Sequence, residues 1–139
     1  MKTIMDSSKY YSYGVGLILV LVTVACAFKE KEKPVDPELL PGKYYKNIDP
    51  RDSIFVYSDK TYKHTYHRTD GTVNSQTNTW RYKSDINHIF FESFLFYNNE
   101  YPESGDYNGS WPTKVFIDEN GGIKLRYSES IYFVKVQEK

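Results

Sequence analysis

Cysteine is nearly absent: the 139-residue chain has one, Cys26. A disulfide framework is therefore excluded, as is a thiol nucleophile anywhere after that position. An excess of one charge is missing too, with Lys plus Arg at 18 and Asp plus Glu at 18. Such a balance supplies neither the basic patch that nucleic acid needs nor a field that steers acidic substrates. Beyond Cys26 no window shows sustained helical periodicity. Catalytic signatures are lacking as well. There is no Gly-x-Ser-x-Gly elbow, no phosphate-cradling loop and no metalloprotease helix. No carboxylate lies in a distinctive motif. The run 118–123 looks like a calcium loop only briefly. With Gly121 as the loop glycine, Phe116 and Tyr127 fall on the two essential ligand positions. It reads instead as a hairpin turn in which glycine supplies the positive φ angles. His64 and His67, three apart on a strand, point to opposite faces and cannot share an ion without a bulge. No cofactor or metal site is expected, and a non-enzymatic domain is preferred over an enzyme.

What the chain does have is a leader. Lys2 and Lys9 give a positive start, partly offset by Asp6, and an unbroken apolar run follows from Leu17 to Val22. Thr23, Val24 and Ala25 then lead into Cys26. Basic start, short apolar core and small residues before a cut are the layout of a secretory signal. The stretch Thr23-Val24-Ala25-Cys26 resembles the lipobox of bacterial lipoproteins, with Thr23 standing where Leu is usual. The resemblance implies that Cys26 is lipidated on sulfur, freed as the mature amino terminus and acylated again. One acyl chain holds a protein to a membrane only marginally, so stable anchoring takes more than one. Two other readings of the leader stay open. The charge-free stretch Tyr10 to Phe28 is close to the ~20 residues of a membrane-spanning helix. A buried core helix is the other.

After Cys26, alternating charge from Lys29 to Lys33 and prolines at 34, 37 and 41 read as an exposed, semi-stiff tether. Ala27 rather than Asp follows the cysteine, so inner-membrane retention is not suggested. The expected organisation is a signal peptide over 1–25, a lipidated tether over 26–41 and a β domain over 42–139. The expected location is the bacterial cell envelope, lipid-anchored outside the cytoplasm, in the outer membrane.

From Gly42 the pattern is strand after strand. Aromatics make up 17% of the chain, and such side chains pack well on pleated surfaces. Strands are expected at 43–46, 53–57, 61–67, 79–82, 89–97, 113–117, 123–127 and 131–136. Asp70-Gly71 signals a hairpin. Alternation breaks at Glu92-Ser93, where a bulge is expected. The stretch from Asn98 to Trp111 reads as a long loop. Short strands joined by frequent turns favour an all-β antiparallel meander, closing into a small barrel or roll. Trp80, Phe91, Phe94, Tyr62 and Leu125 are the expected inward side chains.

Four segments sharpen this: Gly42-Lys43-Tyr44, Asp59-Lys60-Thr61-Tyr62, Asn78-Thr79-Trp80 and Ile89-Phe90-Phe91. Their order is similar to that of small lipocalin-like bacterial lipoproteins, with Lys60 and Asn78 where Gly is usual. The resemblance implies an architecture, not an activity. The function expected is a non-enzymatic binding or interaction domain on a lipid anchor. Its partners are the membrane and either an apolar ligand, a glycan or an envelope protein, and not nucleic acid. The alternatives are a surface glycan-binding module and a small hydrolase or enzyme inhibitor. Candidate ligand contacts are Tyr62, His64 and Tyr66, which share one strand face, and Trp111 in the loop.

Overall fold

The computed structural model describes residues 32–97 and 106–137. The expected signal peptide 1–25, Cys26 and residues 98–105 of the expected loop lie outside the described residues. A single 3-10 turn, Pro37–Leu39, precedes eight strands. These are β1 (Gly42–Lys46), β2 (Asp49–Val56), β3 (Thr61–His67), β4 (Val73–Lys83), β5 (His88–Phe96), β6 (Tyr107–Ile117), β7 (Ile123–Arg126) and β8 (Tyr132–Lys135). Each pairs antiparallel with the next, and β8 returns to β1, so the sheet is a closed up-and-down barrel. No α-helix occurs among the described residues. The fold is the expected all-β meander in its closed form.

Closure has a physical reason in the strand pattern. β3 alternates strictly, with Tyr62, His64 and Tyr66 buried and the residues between them more exposed. One face of every strand is thus committed to the interior, and a closed sheet leaves no unpaired edge. All five expected inward side chains are buried, together with Tyr44, Ile54, Ile89, Val115 and Phe133.

Irregularities fall where the backbone demands them. Ser93 takes φ 48°, and the β5–β6 register shifts between Phe91 and Phe94. Without that bulge, residues three apart would face opposite ways. With it, both Phe91 and Phe94 point inward and reach 6.1 Å between ring centroids. Gly71 (φ 88°) and Gly121 (φ 79°) close the β3–β4 and β6–β7 hairpins, as their sequence context predicts. The β2–β3 turn has Lys60 at φ 70°, a conformation that suits glycine. Asp59 holds that turn by accepting from the Thr61 amide at 2.9 Å and the Thr61 hydroxyl at 2.6 Å.

The strand at Trp111 differs from expectation. β6 begins at Tyr107, so Trp111 is not in a loop but inside the barrel, 6% exposed. The glycines and prolines around it suggested loop, yet Gly109 sits opposite Phe94 and Pro112 opposite Phe90, on either side of the bulge in the β5–β6 ladder. Pro112 is tolerated because the ladder to β7 starts only at Val115.

The stretch 34–41, expected as the end of the tether, packs against one end of the barrel. Val35 and Leu40 belong to the core. The Val35 amide donates to Asn87 Oδ1 at 3.1 Å, and the Tyr44 hydroxyl donates to the Leu40 carbonyl at 2.7 Å. This segment closes the end formed by the starts of the odd strands and the ends of the even ones. The opposite end is the mouth.

Two stability predictions follow from these positions. Trp80→Ala and Trp111→Ala are each expected to cost about 3–5 kcal/mol, since both remove a buried ring. Urea melts that show Trp111→Ala to be nearly neutral would contradict its interior placement. Lys60→Gly removes a left-handed penalty of roughly 1–2 kcal/mol but also an ammonium seated 4.2 Å from the Trp80 ring centroid. That contact is worth about 0.5–1 kcal/mol at an exposed site. The expected result is a gain of about 1 kcal/mol or less, and a clear loss in the same melts would refute the strain argument.

Candidate functional site

The period-two pattern that places Ile54 and Val56 inside also places Asp52 inside, on the same face of β2. Lys46 ends β1 on its inward face, and His64 lies between Tyr62 and Tyr66 on β3. These three groups, with Tyr97 just past β5, meet near the mouth. The Lys46 ammonium donates to Asp52 Oδ2 at 3.0 Å, and His64 Nε2 lies 2.9 Å from Asp52 Oδ1. The Tyr97 hydroxyl donates to Asp52 Oδ2 and accepts from Lys46 at 3.3 Å. Lys46 also lies over the Tyr127 ring, 4.5 Å from its centroid. The Asp52 and His64 side chains are at most 2% exposed.

Burial alone would raise the Asp52 pKa. The His64 hydrogen bond, the Lys46 charge and the Tyr97 hydrogen bond outweigh it, and the carboxyl is held below its ordinary range. Tyr97 moves the other way. Burial and then the Asp52 carboxylate push its phenol far above the ordinary range. Tyr62 is pushed up to about 12, chiefly by burial. The cluster is thus a carboxylate, an ammonium and a neutral phenol, with an imidazole whose Nε2–H points at the carboxylate. In the neutral ring that leaves Nδ1 as the lone-pair nitrogen, and it is buried with no hydrogen-bond partner among the described residues. The ring stacks on Phe94 at 4.4 Å. Asp52 and His64 resemble part of a catalytic array by type, but the charges face one another instead of a substrate-sized space.

Of the residues singled out from sequence, Tyr62, His64 and Tyr66 do share the interior face of β3. Phe94 links them to Trp111: it contacts Tyr62 at 6.2 Å, His64 at 4.4 Å and Trp111 at 4.6 Å. His67 faces outward, its Nδ1 3.2 Å from the Arg51 carbonyl. Trp111 therefore offers no exposed face to a glycan. Nearer the mouth, the Tyr66 ring stacks on Tyr97 at 3.8 Å, and its hydroxyl donates to Asp106 at 3.1 Å. Arg68 pairs with the same carboxylate. Lys46, Asp52, Tyr97 and Asp106 were not singled out from sequence. The signal for Asp52 was available in the alternation Asp52, Ile54, Val56.

One groove lies outside the barrel. It has a volume of about 670 Å3 and runs along the closed end, with Leu39, Phe55, Ile117, Ile123 and Val136 among its walls and Lys43 and Lys135 at its edge. Lys135 donates to the Leu39 carbonyl across it. This is a concave, mainly apolar surface at the end where the chain enters the barrel.

The chain matches no known protein-family model. It also matches no curated protein and no solved structure. The functional reading therefore stands on residues and geometry alone.

Asp52→Asn leaves the Lys46 ammonium buried without its counter-charge, at an expected cost of about 3–5 kcal/mol. Adding Lys46→Met is expected to recover most of that loss, because the charge is removed too. The Asp52 pKa is depressed in the fold. Its contribution is therefore complete above the unfolded value of about 3.9 and is lost as pH falls through the folded value. Denaturant midpoints at pH 7 and pH 3 check both points. The gap between wild type and Asp52→Asn should narrow at the lower pH, and a gap that widens contradicts this assignment.

Proposed function

We propose that the chain is an exported bacterial lipoprotein, anchored through Cys26 outside the cytoplasm. Its barrel is a non-enzymatic interaction domain that works through its outer surface. One observation carries the second part. The interior is filled by Tyr44, Tyr62, Tyr66, Phe91, Phe94 and Phe133, each at most 1% exposed, while the described groove lies outside. An eight-stranded barrel is just wide enough either to be filled by side chains or to hold one small ligand. Here the aromatic packing takes the first course. The Lys46, Asp52 and Tyr97 groups are spent on one another, and the remaining His64 Nδ1 is buried, its ring stacked on Phe94 at 4.4 Å.

The first part is supported by the Val24-Ala25-Cys26 motif behind a short apolar run. The outer-membrane location goes with that motif and with Ala27. The small hydrolase reading loses support from the self-paired cluster. The glycan reading loses Trp111 as its contact residue. One exposed ring does remain near the mouth, where Tyr107 stacks on the half-buried Phe96 at 4.9 Å.

The test is Cys26→Ser in the full chain. It is expected to leave an unprocessed precursor, or to move the protein from the detergent phase to the aqueous phase in a cloud-point separation. A Cys26→Ser product of mature mass that still partitions into detergent would show that this residue is not the anchor. Titration of the wild type with a long-chain fatty acid is expected to leave Trp80 and Trp111 emission unchanged. A saturable change would place a ligand in the interior after all.

A further inference from the structure

The exposed large apolar side chains are not spread evenly. Leu39, Phe55, Tyr57, Ile86, Ile117 and Val136 are between 37% and 50% exposed. All six lie at the closed end: before β1, at the ends of β2, β6 and β8, and in the β4–β5 turn. Only Ile48, Val73 and Tyr107 of that exposed class stand at the mouth end among the described residues. Phe55 and Tyr57 stack on one another at 4.6 Å and present a flat aromatic pair to solvent. Leu39, Phe55, Ile117 and Val136 line the apolar groove, and Tyr57 adjoins it through Phe55, a clustering beyond singly scattered surface apolar residues.

The chain enters the barrel at this same end. The Val35 amide is tied to Asn87, the neighbour of Ile86. Cys26 and Pro34 are separated by seven residues. Fully extended, that link spans at most about 29 Å. An anchor on Cys26 therefore holds the closed end as the nearest part of the barrel to the bilayer, and at high effective concentration.

We infer that the closed-end rim is a membrane-contacting surface, on which the barrel rests against the lipid headgroup and acyl boundary. The inference rests on the anchored reading above for its tether. The chemistry fits an apolar rather than an ionic contact. Lys43, Lys60, Lys83 and Lys135 are at this end, but so are Glu38, Asp59, Asp85, Asp118 and Glu119. Asp59 is occupied within its turn by Thr61, and Asp118 pairs with Lys124 at 3.0 Å. Neutral lipid should therefore suffice. Aromatic and aliphatic side chains seated at the boundary, with lysines at the rim, suit an interface of this kind. The mouth is left facing away from the membrane.

The experiment uses the full chain isolated with its membrane and reconstituted in phosphatidylcholine vesicles. Ile86→Trp and Ile48→Trp each add one exposed indole, at the closed end and at the mouth. Half of the vesicles carry bromine on the acyl chains close to the headgroup, which quenches indole emission at short range. The added emission of Ile86→Trp is expected to fall at least two-fold in brominated vesicles. That of Ile48→Trp is expected to stay unchanged. Equal quenching at the two positions, or none at Ile86→Trp, overturns the inference. So does an Ile86→Trp indole shielded equally in plain and brominated vesicles, because another protein surface then covers it. The intact mass of the same sample separates this from the anchor. Quenching at Ile86→Trp with no acyl group on Cys26 removes the lipid anchor and leaves the surface contact standing. An acylated Cys26 without quenching does the reverse. A chain absent from the vesicle fraction removes both.

Discussion

Closing eight strands into a barrel sets the volume that the inward side chains must fill, and most of the other features answer to it. Interiors are packed to crystal density, and a gap forfeits contact energy on all sides. Aliphatic side chains alone leave space at the axis of such a barrel. Rings bridge it. Phe94 sits at the centre, touching Tyr62, His64, Phe91, Phe96 and Trp111. Several of these pairs are tilted or edge-on, which ring quadrupoles favour. The aromatic content of the chain is thus a consequence of architecture. It need not mark a ligand surface.

The mouth shows the cost of the same constraint. Where rings give way to Lys46, Asp52 and His64, each polar group must find its partner within the barrel. Asp52 is the hub, because it alone accepts from three directions. It joins β1, β2, β3 and the residue after β5, at the end where the 34–41 segment gives no support. Such a cluster adds little net stability relative to well-packed apolar groups, yet losing one member is expensive. Its effect is to fix the register in which four chain segments meet. The unpartnered Nδ1 of His64 is the one group left outside that arrangement.

Much of this was legible in the chain, and the limits have physical causes. Strict alternation in 61–67 announced which face of β3 is buried. The break at Glu92-Ser93 announced the bulge. Lys60, flagged as standing where Gly is usual, does take the left-handed conformation that glycine would adopt freely. Trp111 was misplaced because Gly109 and Pro112 punctuate a strand as they would a loop. What permits them is the one-sided pairing of β6 there, a property of the sheet that no local pattern reports. The segment 34–41 was misread for a similar reason. Its prolines and charges describe its exposed side, and only the barrel end reveals that Val35 and Leu40 have somewhere to go. The Asp52 cluster was out of reach as a cluster. Lys46, Asp52 and His64 come from three successive paired strands whose register no local pattern gives, and closure brings Tyr97 to them from the end of β5.

The two ends of the barrel are therefore built to different rules, and this asymmetry bears on function more than any single residue does. At the mouth, charged and phenolic groups are locked in pairs, and the stacked Tyr66 and Tyr97 rings rest on them. At the closed end, the entering chain supplies the seal, and exposed apolar side chains stand among the charges of the rim. A protein that used its interior would keep the lumen empty and one end open. This one fills the lumen and leaves its apolar surface on the outside, beside the point where the chain arrives. On the proposed reading, recognition passes from the cavity to the rim, where the geometric demands are slight and a short tether replaces tight binding with proximity.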